Sequence, residues 1–455
     1  MNTATEPTVH DSASLPSFQS PTQWSPTKSP KRAPRRLPSP ASTVKRRAHR
    51  TLASFYRRVA SSTRKTKKKL EFACRDSAIC LILGTNLDAE LRKFFAGFVK
   101  FRFLEAATRL KKKSANGFVD QLRYAHHGYE AHAVLKSVVR PSADSAVYEF
   151  LVGNYVNALT RRFPCFVETY GLFKYNGLAQ WTAQKDDAAV SAEDCKARLK
   201  NVPYAGTTAA LHAVLHAVRA APERFAVLVQ SIPTPIYIAK LRDDSNLLPV
   251  LFQIYYPLGL LQADFTHYDL HKENVLLYEP ARNKYIEYHY HTPAGVVRFK
   301  SNYLAKIIDY GRCHFDDSRD IYRTLIALHV DARQCGFGWL NPGNSSDPYF
   351  TSSKADPRYD LRYFQYVKDY LNPTKKGDFV YDLTRFEESR ALIPPDFPLA
   401  DYRGGPCQPD DICDCAGASA WLAQTLPTLP DRFQGQEKFG DLHVRPDAPF
   451  VFTLA

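Results

Sequence analysis

Up to Leu70 the chain has almost no periodic apolar positions; Ser, Thr, Pro, Lys and Arg dominate, and the stretch is expected to stay disordered. From there the pattern changes. Cys80-Leu81-Ile82-Leu83-Gly84 is an apolar run, Asn86 suits a helix cap, and Leu91, Phe94, Phe95 and Phe98 share one face of a helix expected over Leu87 to Phe98. Residues 111–124 and 129–137 read as two strands joined by a turn at His127-Gly128. Asp144 is placed to cap a helix on which Glu149, Val152, Val156 and Leu159 recur on one face. Residues 165–173 and 225–232 read as further strands, with a polar and partly helical insertion between them.

The most apolar stretch, Leu247 to Leu261, is too short to span a bilayer and is interrupted by Pro249 and Pro257, so it reads as a buried core helix. Next, a polar turn carries His267, Asp269 and Asn274 and leads into the strand Val275-Leu276-Leu277. Ile286, Tyr288 and Tyr290 alternate with Glu287, His289 and His291, and the turn Pro293-Ala294-Gly295 follows: the pattern of a β-hairpin, placed at about 279–304. Lys306-Ile307-Ile308 is a strand ending in Asp309-Tyr310-Gly311. Asp356 to Arg362 opens an amphipathic helix, and the C-terminal region, with Pro394-Pro395, Gly404-Gly405-Pro406 and Cys407, Cys413 and Cys415, reads as loop-rich.

With 44% hydrophobic and 13% aromatic residues, the 455-residue chain has ample material for a core. Its charge is uneven. Residues 1–70 hold 16 Lys and Arg against two acids, Glu6 and Asp11, which is +14 of the total +15. A segment of that kind binds polyanions, nucleic acid above all, without sequence preference, or serves as a basic linker or nuclear-localisation signal. No apolar run of a secretory signal lies at the N-terminus. Nine cysteines, an odd number without paired C-x-x-C spacing, imply free thiols in an intracellular, reducing compartment.

Three features carry candidate chemistry. Asp269 and Asn274 lie five positions apart on a loop between apolar elements, so a carboxylate is placed to take a proton from an attacking hydroxyl and an amide to hold a metal. Glu149 lies on an otherwise apolar helix face and needs a cation beside it, or else a solvated place in the first helical turn. His289 and His291 share one strand face and offer two metal ligands without a third nearby.

His267-x-Asp269-Leu270-x-x-x-Asn274 resembles the catalytic loop of the protein kinase superfamily. The other parts of that pattern come in the family's order. Gly117-Phe118-Val119 matches the end of the glycine-rich loop, Ala133-Val134-Leu135-Lys136 the strand carrying the phosphate-binding lysine, Glu149 its helical partner, and Asp309-Tyr310-Gly311 the metal-binding D-F-G. The resemblance implies an α+β, bilobal kinase-like fold: a sheet-rich lobe over 71–232, a helical lobe over 233–455, and ATP and magnesium between them. It implies Asp269 as base, Lys136 with Glu149 as phosphate clamp, Asn274 and Asp309 as metal ligands, Gly117, Val119 and Lys136 against the nucleotide, residues 229–233 as the hinge facing adenine, and Asp360 as the aspartate bracing the catalytic loop. More narrowly, the segments around these motifs are similar to putative serine/threonine kinases of giant DNA viruses, which implies a virion or a host cytoplasm or nucleus.

The chain departs from the pattern at several places. His271 stands where serine/threonine kinases carry a lysine, as in kinases of small molecules such as aminoglycosides and choline. Tyr268 replaces the arginine that receives an activation-loop phosphate. No A-P-E follows, and Lys112 or its neighbours and Ala115 replace two glycines of the loop. Protein kinase activity on Ser or Thr is the first expectation, a small-molecule phosphotransferase the second, and a pseudokinase scaffold the third.

Overall fold

The computed structural model describes residues 78–84, 88–110, 117–127, 129–139, 146–184, 190–204, 207, 209, 213, 224–238, 241, 244–271, 273–316, 338–340, 349–351, 355, 359–361 and 414–455. All of them belong to the compact unit Thr51–Ala455. Residues 1–70, Asn86, Lys112, Ala115, Asp144, Cys407, Cys413 and most of the helix expected from Asp356 lie outside the described residues.

The fold is mixed α+β. Strands β1 (Leu104–Arg109), β2 (Gly117–His126), β3 (Tyr129–Val138), β4 (Thr169–Tyr175), β5 (Leu199–Val202) and β6 (Phe225–Gln230) form an antiparallel sheet in the order β1-β2-β3-β6-β4-β5. The hairpin β2–β3 turns at His127, which takes a left-handed φ of 49°. Its register sets Gly117 opposite Val138 and Val119 opposite Lys136. Only glycine fits at 117, since a Cβ there would lie 1.7 Å from the Ser137 carbonyl oxygen.

Helices α1 (Ala78–Ile82) and α2 (Asp88–Phe94) precede this sheet. The helix expected to reach Phe98 stops at Phe94, because Ala96, Gly97 and Phe98 all take left-handed φ values, an interruption that Gly97 makes cheap. Helix α3 (Ala146–Leu159) buries Glu149, Val152, Val156 and Leu159 as their spacing predicts, and Tyr148, Leu151 and Gly153 as well. A Cβ on Gly153 would meet the Thr169 side chain at 2.0 Å, so α3 lies directly against β4. The insertion after β4 contains helices α4 (Leu178–Ala183) and α5 (Ala192–Arg198), the latter capped by Ser191.

Helix α6 (Asp244–Leu260) runs straight through both prolines that were expected to interrupt it. Pro257 leaves the Gln253 carbonyl without its helical donor, and tertiary packing outweighs that loss: Leu248, Phe252 and Tyr255 on this helix are fully buried. The Gln253 side chain donates to the Tyr303 carbonyl at 3.0 Å and accepts from the Ala305 amide at 2.9 Å. No helix among the described residues is long and apolar enough to cross a membrane.

Short strands β7 (Ile236–Tyr237), β8 (Phe265–Thr266) and β9 (Val275–Tyr278) follow, then the hairpin β10 (Lys284–Thr292) with β11 (Gly295–Ser301), then β12 (Leu304–Ile307) and β13 (His314–Phe315). Strands β14 (Gly338–Leu340) and β15 (Tyr349–Thr351) form a separate hairpin. Of the C-terminal region expected to be loop-rich, Pro394-Pro395 and Gly404-Gly405-Pro406 lie outside the described residues, and 414–455 form α7 (Cys415–Thr425), β16 (Glu437–Arg445) and β17 (Ala448–Leu454). Helix α7 packs on α6 where Gly259 admits the Ala416 backbone, and β16 joins β10 in parallel to give the sheet β11-β10-β16-β17. Ile286, Tyr288 and Tyr290 form its buried face, as their alternation predicts.

Cys165, Cys195, Cys313 and Cys415 are free and buried.

Candidate active site

Two strand pairs hold the site's loops side by side. The loop 267–274 runs from β8 to β9, and the segment 308–313 runs from β12 to β13; β8 pairs with β13, and β9 with β12. Each loop is therefore anchored at both ends against the other. The Ile308 amide donates to the Asn274 carbonyl at 3.0 Å and extends the β9–β12 pairing into the site.

Residues far apart in sequence meet here. The Lys136 ammonium on β3 lies 2.6 Å from Glu149 Oε1 on α3 and 2.8 Å from Asp309 Oδ1. Burial by itself would lower the Lys136 pKa, but the Asp309 and Glu149 carboxylates outweigh it and hold the pKa above the ordinary lysine value. Glu149 thus has the cationic partner that its buried position demands, and the solvated alternative does not hold. Asn274 donates through Nδ2 to the Asp269 carbonyl at 2.9 Å and to Asp269 Oδ2 at 3.3 Å, which leaves its Oδ1 as a hard oxygen donor. The Asp309 carboxylate is another, so the donor set fits a cation such as magnesium.

Two of the positions with left-handed backbone lie at the same place. Tyr268, just before Asp269, has φ 60°, and Asp309 has φ 70°; each left-handed non-glycine costs about 1–2 kcal/mol. The strain at Tyr268 is held by Asp360, whose Oδ2 and Oδ1 accept from the His267 and Tyr268 amides at 2.8 and 3.0 Å. The Asp360 backbone is held in turn by the Tyr255 hydroxyl of α6 at 2.9 Å.

His267 is fully buried. Its Nδ1 accepts from the Asp269 amide at 3.3 Å and its Nε2 faces the Ile308 carbonyl at 3.1 Å, so the neutral ring with its proton on Nε2 satisfies both. Burial pushes its pKa down to about 4. A histidine lowered in the fold keeps its full stability contribution above the unfolded value near 6.5 and loses it as pH falls toward 4, by about 3 kcal/mol over that window. His267→Gln is therefore expected to flatten the unfolding free energy between pH 6.5 and 4 relative to wild type, measured by denaturant titration; parallel slopes would remove His267 as the cause.

Tyr310 does more than preserve aromatic packing. Its buried hydroxyl accepts from the Val167 amide at 2.8 Å and lies within donating distance of the Ile307 and Val167 carbonyls, at 2.9 and 3.0 Å. Tyr310→Phe leaves that amide unpaired and is expected to cost about 1–3 kcal/mol, read as a melting temperature lowered by several degrees; an unchanged melting curve would mean that water replaces the hydroxyl.

Gly117 and Val119 lie on β2 beside Lys136, and residues 231–235 lead out of β6 with Ser231 accepting from Gln121 Nε2 at 3.0 Å. Two further groups face Asp269. Arg312 Nε lies 3.6 Å from Asp269 Oδ2, and His271 Nε2 lies 3.8 Å from Oδ1. Sequence reasoning missed Arg312, and its one signal was a basic residue directly after Asp-Tyr-Gly.

The histidine pair on β10 is arranged differently from expectation. His289 stacks on His443 of β16, ring centroids 4.3 Å apart, and its Nε2 approaches Asp441 at 3.2 Å and Glu287 at 3.8 Å, so its neighbours are these carboxylates rather than His291. The Lys438 ammonium already bridges Glu287 and Asp441 at 2.7 and 2.6 Å, so the cluster is charge-compensated from within.

No family model matches the chain, and no curated protein matches it. Among solved structures it is similar to a kinase domain from Plasmodium, with a TM-score of 0.26 and 14% identity over 48% of this chain and 54% of that one. The match spans about half of that kinase domain, and at this level the functional reading rests on the geometry of the site.

Proposed function

We propose that the chain transfers the γ-phosphoryl group of ATP to a hydroxyl, with protein Ser or Thr as the acceptor. The observation that carries this reading is the Lys136 ammonium shared between Glu149 and Asp309, together with an Asp269 whose carbonyl and carboxylate both accept from Asn274 Nδ2. Lys136 would lie against the nucleotide phosphates, its position fixed by Glu149, while Gly117 and Val119 cover the nucleotide. Asp269 takes the proton of the acceptor hydroxyl as that oxygen forms a bond to phosphorus and the bond to the ADP oxygen breaks. Asp309 and Asn274 would hold magnesium, which neutralises phosphate charge when bound.

A small-molecule acceptor is the second reading, favoured by His271 beside Asp269. Purified protein with labelled ATP, offered itself, basic proteins and small aminoalcohols, separates them. Label on protein supports the first reading and label on aminoalcohols the second; ATP left untouched with every acceptor rejects both.

A further inference from the structure

We propose that Arg312, and not His271, supplies the positive charge that the transferring phosphoryl group meets beside Asp269; this rests on the phosphotransferase reading above. Arg312 lies in the turn Tyr310–Cys313, closed by the Cys313 amide donating to the Tyr310 carbonyl at 3.3 Å. Both ends of that turn are fastened. The Tyr310 hydroxyl is bonded to Val167 and Ile307, and the Cys313 carbonyl accepts from the Tyr148 hydroxyl of α3.

The guanidinium therefore projects from a fixed backbone, with its side chain 23% exposed and Nε 3.6 Å from Asp269 Oδ2. Such a group is cationic at every physiological pH and costs little reorganisation when charge develops next to it. His271 stands differently. Its Nδ1 accepts from the Glu273 amide at 3.1 Å, which places the proton of a neutral ring on Nε2, the atom facing Asp269 Oδ1. In that tautomer it offers a hydrogen-bond donor and no net charge.

Lys136 is engaged by Glu149 and Asp309, whereas the Arg312 guanidinium lies against the Asp269 carboxylate itself. As the acceptor oxygen bonds to phosphorus and ADP departs, negative charge on the phosphoryl oxygens faces the Arg312 guanidinium, while the hydroxyl proton passes to Asp269.

The test compares Arg312→Ala, Arg312→Lys and the double variant Arg312→Ala/His271→Lys. Arg312→Ala is expected to lower the transfer rate about 10²- to 10³-fold with unchanged affinity for ADP. Arg312→Lys should recover part of the rate, and the double variant should recover at least tenfold over Arg312→Ala, because a cation is restored from the opposite side of Asp269. A rate in Arg312→Ala equal to wild type, or a loss that neither lysine recovers, overturns the proposal. Binding of ADP with aluminium fluoride provides a readout that needs no turnover. Arg312→Ala should weaken it at least tenfold while ADP alone binds as in wild type; equal binding by the two proteins overturns the proposal. A wild-type protein that binds ADP–aluminium fluoride but labels no acceptor counts against the acceptor assignment alone.

Discussion

Asp309→Asn is expected to lower phosphoryl transfer by about a thousandfold or more while the protein stays folded. The substitution keeps side-chain volume and removes the negative charge that would hold a cation against the phosphates, a contribution of several kcal/mol to the transition state. The backbone tolerates it. Position 309 has φ 70°, a region that asparagine enters as readily as aspartate, and the side chain is 42% exposed, so little buried surface is disturbed. Lys136 retains Glu149 at 2.6 Å, which keeps the buried carboxylate paired. The check is single-turnover transfer alongside a thermal melt. A variant that keeps most of its turnover takes Asp309 out of the metal site, and one that fails to fold shows that its ion pair with Lys136 is structural.

Removing residues 437–455 is expected to unfold or aggregate the protein. Phe439, Leu442, Val444, Phe450 and Phe452 are all buried against β10, β11 and their surroundings. At about 1.5–3 kcal/mol each, their loss amounts to about 8–15 kcal/mol, comparable to the whole stability of an ordinary domain. Strand β17 also ties distant parts together: the Phe450 amide donates to the Arg161 carbonyl at 2.8 Å, and its ring packs against Gly84. Val451→Thr, on the same strand but 54% exposed, is the control and should leave the melting temperature within about 1–2 °C. Soluble, cooperatively melting protein after the truncation would show that the hairpin β10–β11 is stable without its C-terminal partners.

Much of the site was legible from the chain because its parts are local. Asp269 and Asn274 lie on one short loop, Asp309 ends one strand, and the helical spacing around Glu149 marked a buried acid in need of a cation. Gly117, Val119 and Lys136 fell on paired strands because alternation and a turn signal set that hairpin. What sequence patterning missed depends on contacts between segments. The alternation of Ile286, Tyr288 and Tyr290 announced a strand with one buried face, but not that β16, some 150 residues later, pairs with it in parallel. Likewise Pro249 and Pro257 counted against a continuous helix, and packing of α6 against β12 and α7 overrode local propensity.

The amino-acid sequence by itself determined the residue types of the candidate site, their order, and the elements that carry them, since periodicity and turn chemistry act over a few residues. Only the tertiary structure decided that Lys136 is shared between Glu149 and Asp309, that Asp360 holds the strained Tyr268, and that Arg312 faces Asp269. Distances between side chains far apart in the chain are set by sheet register and helix packing, and a one-dimensional pattern contains no measure of them.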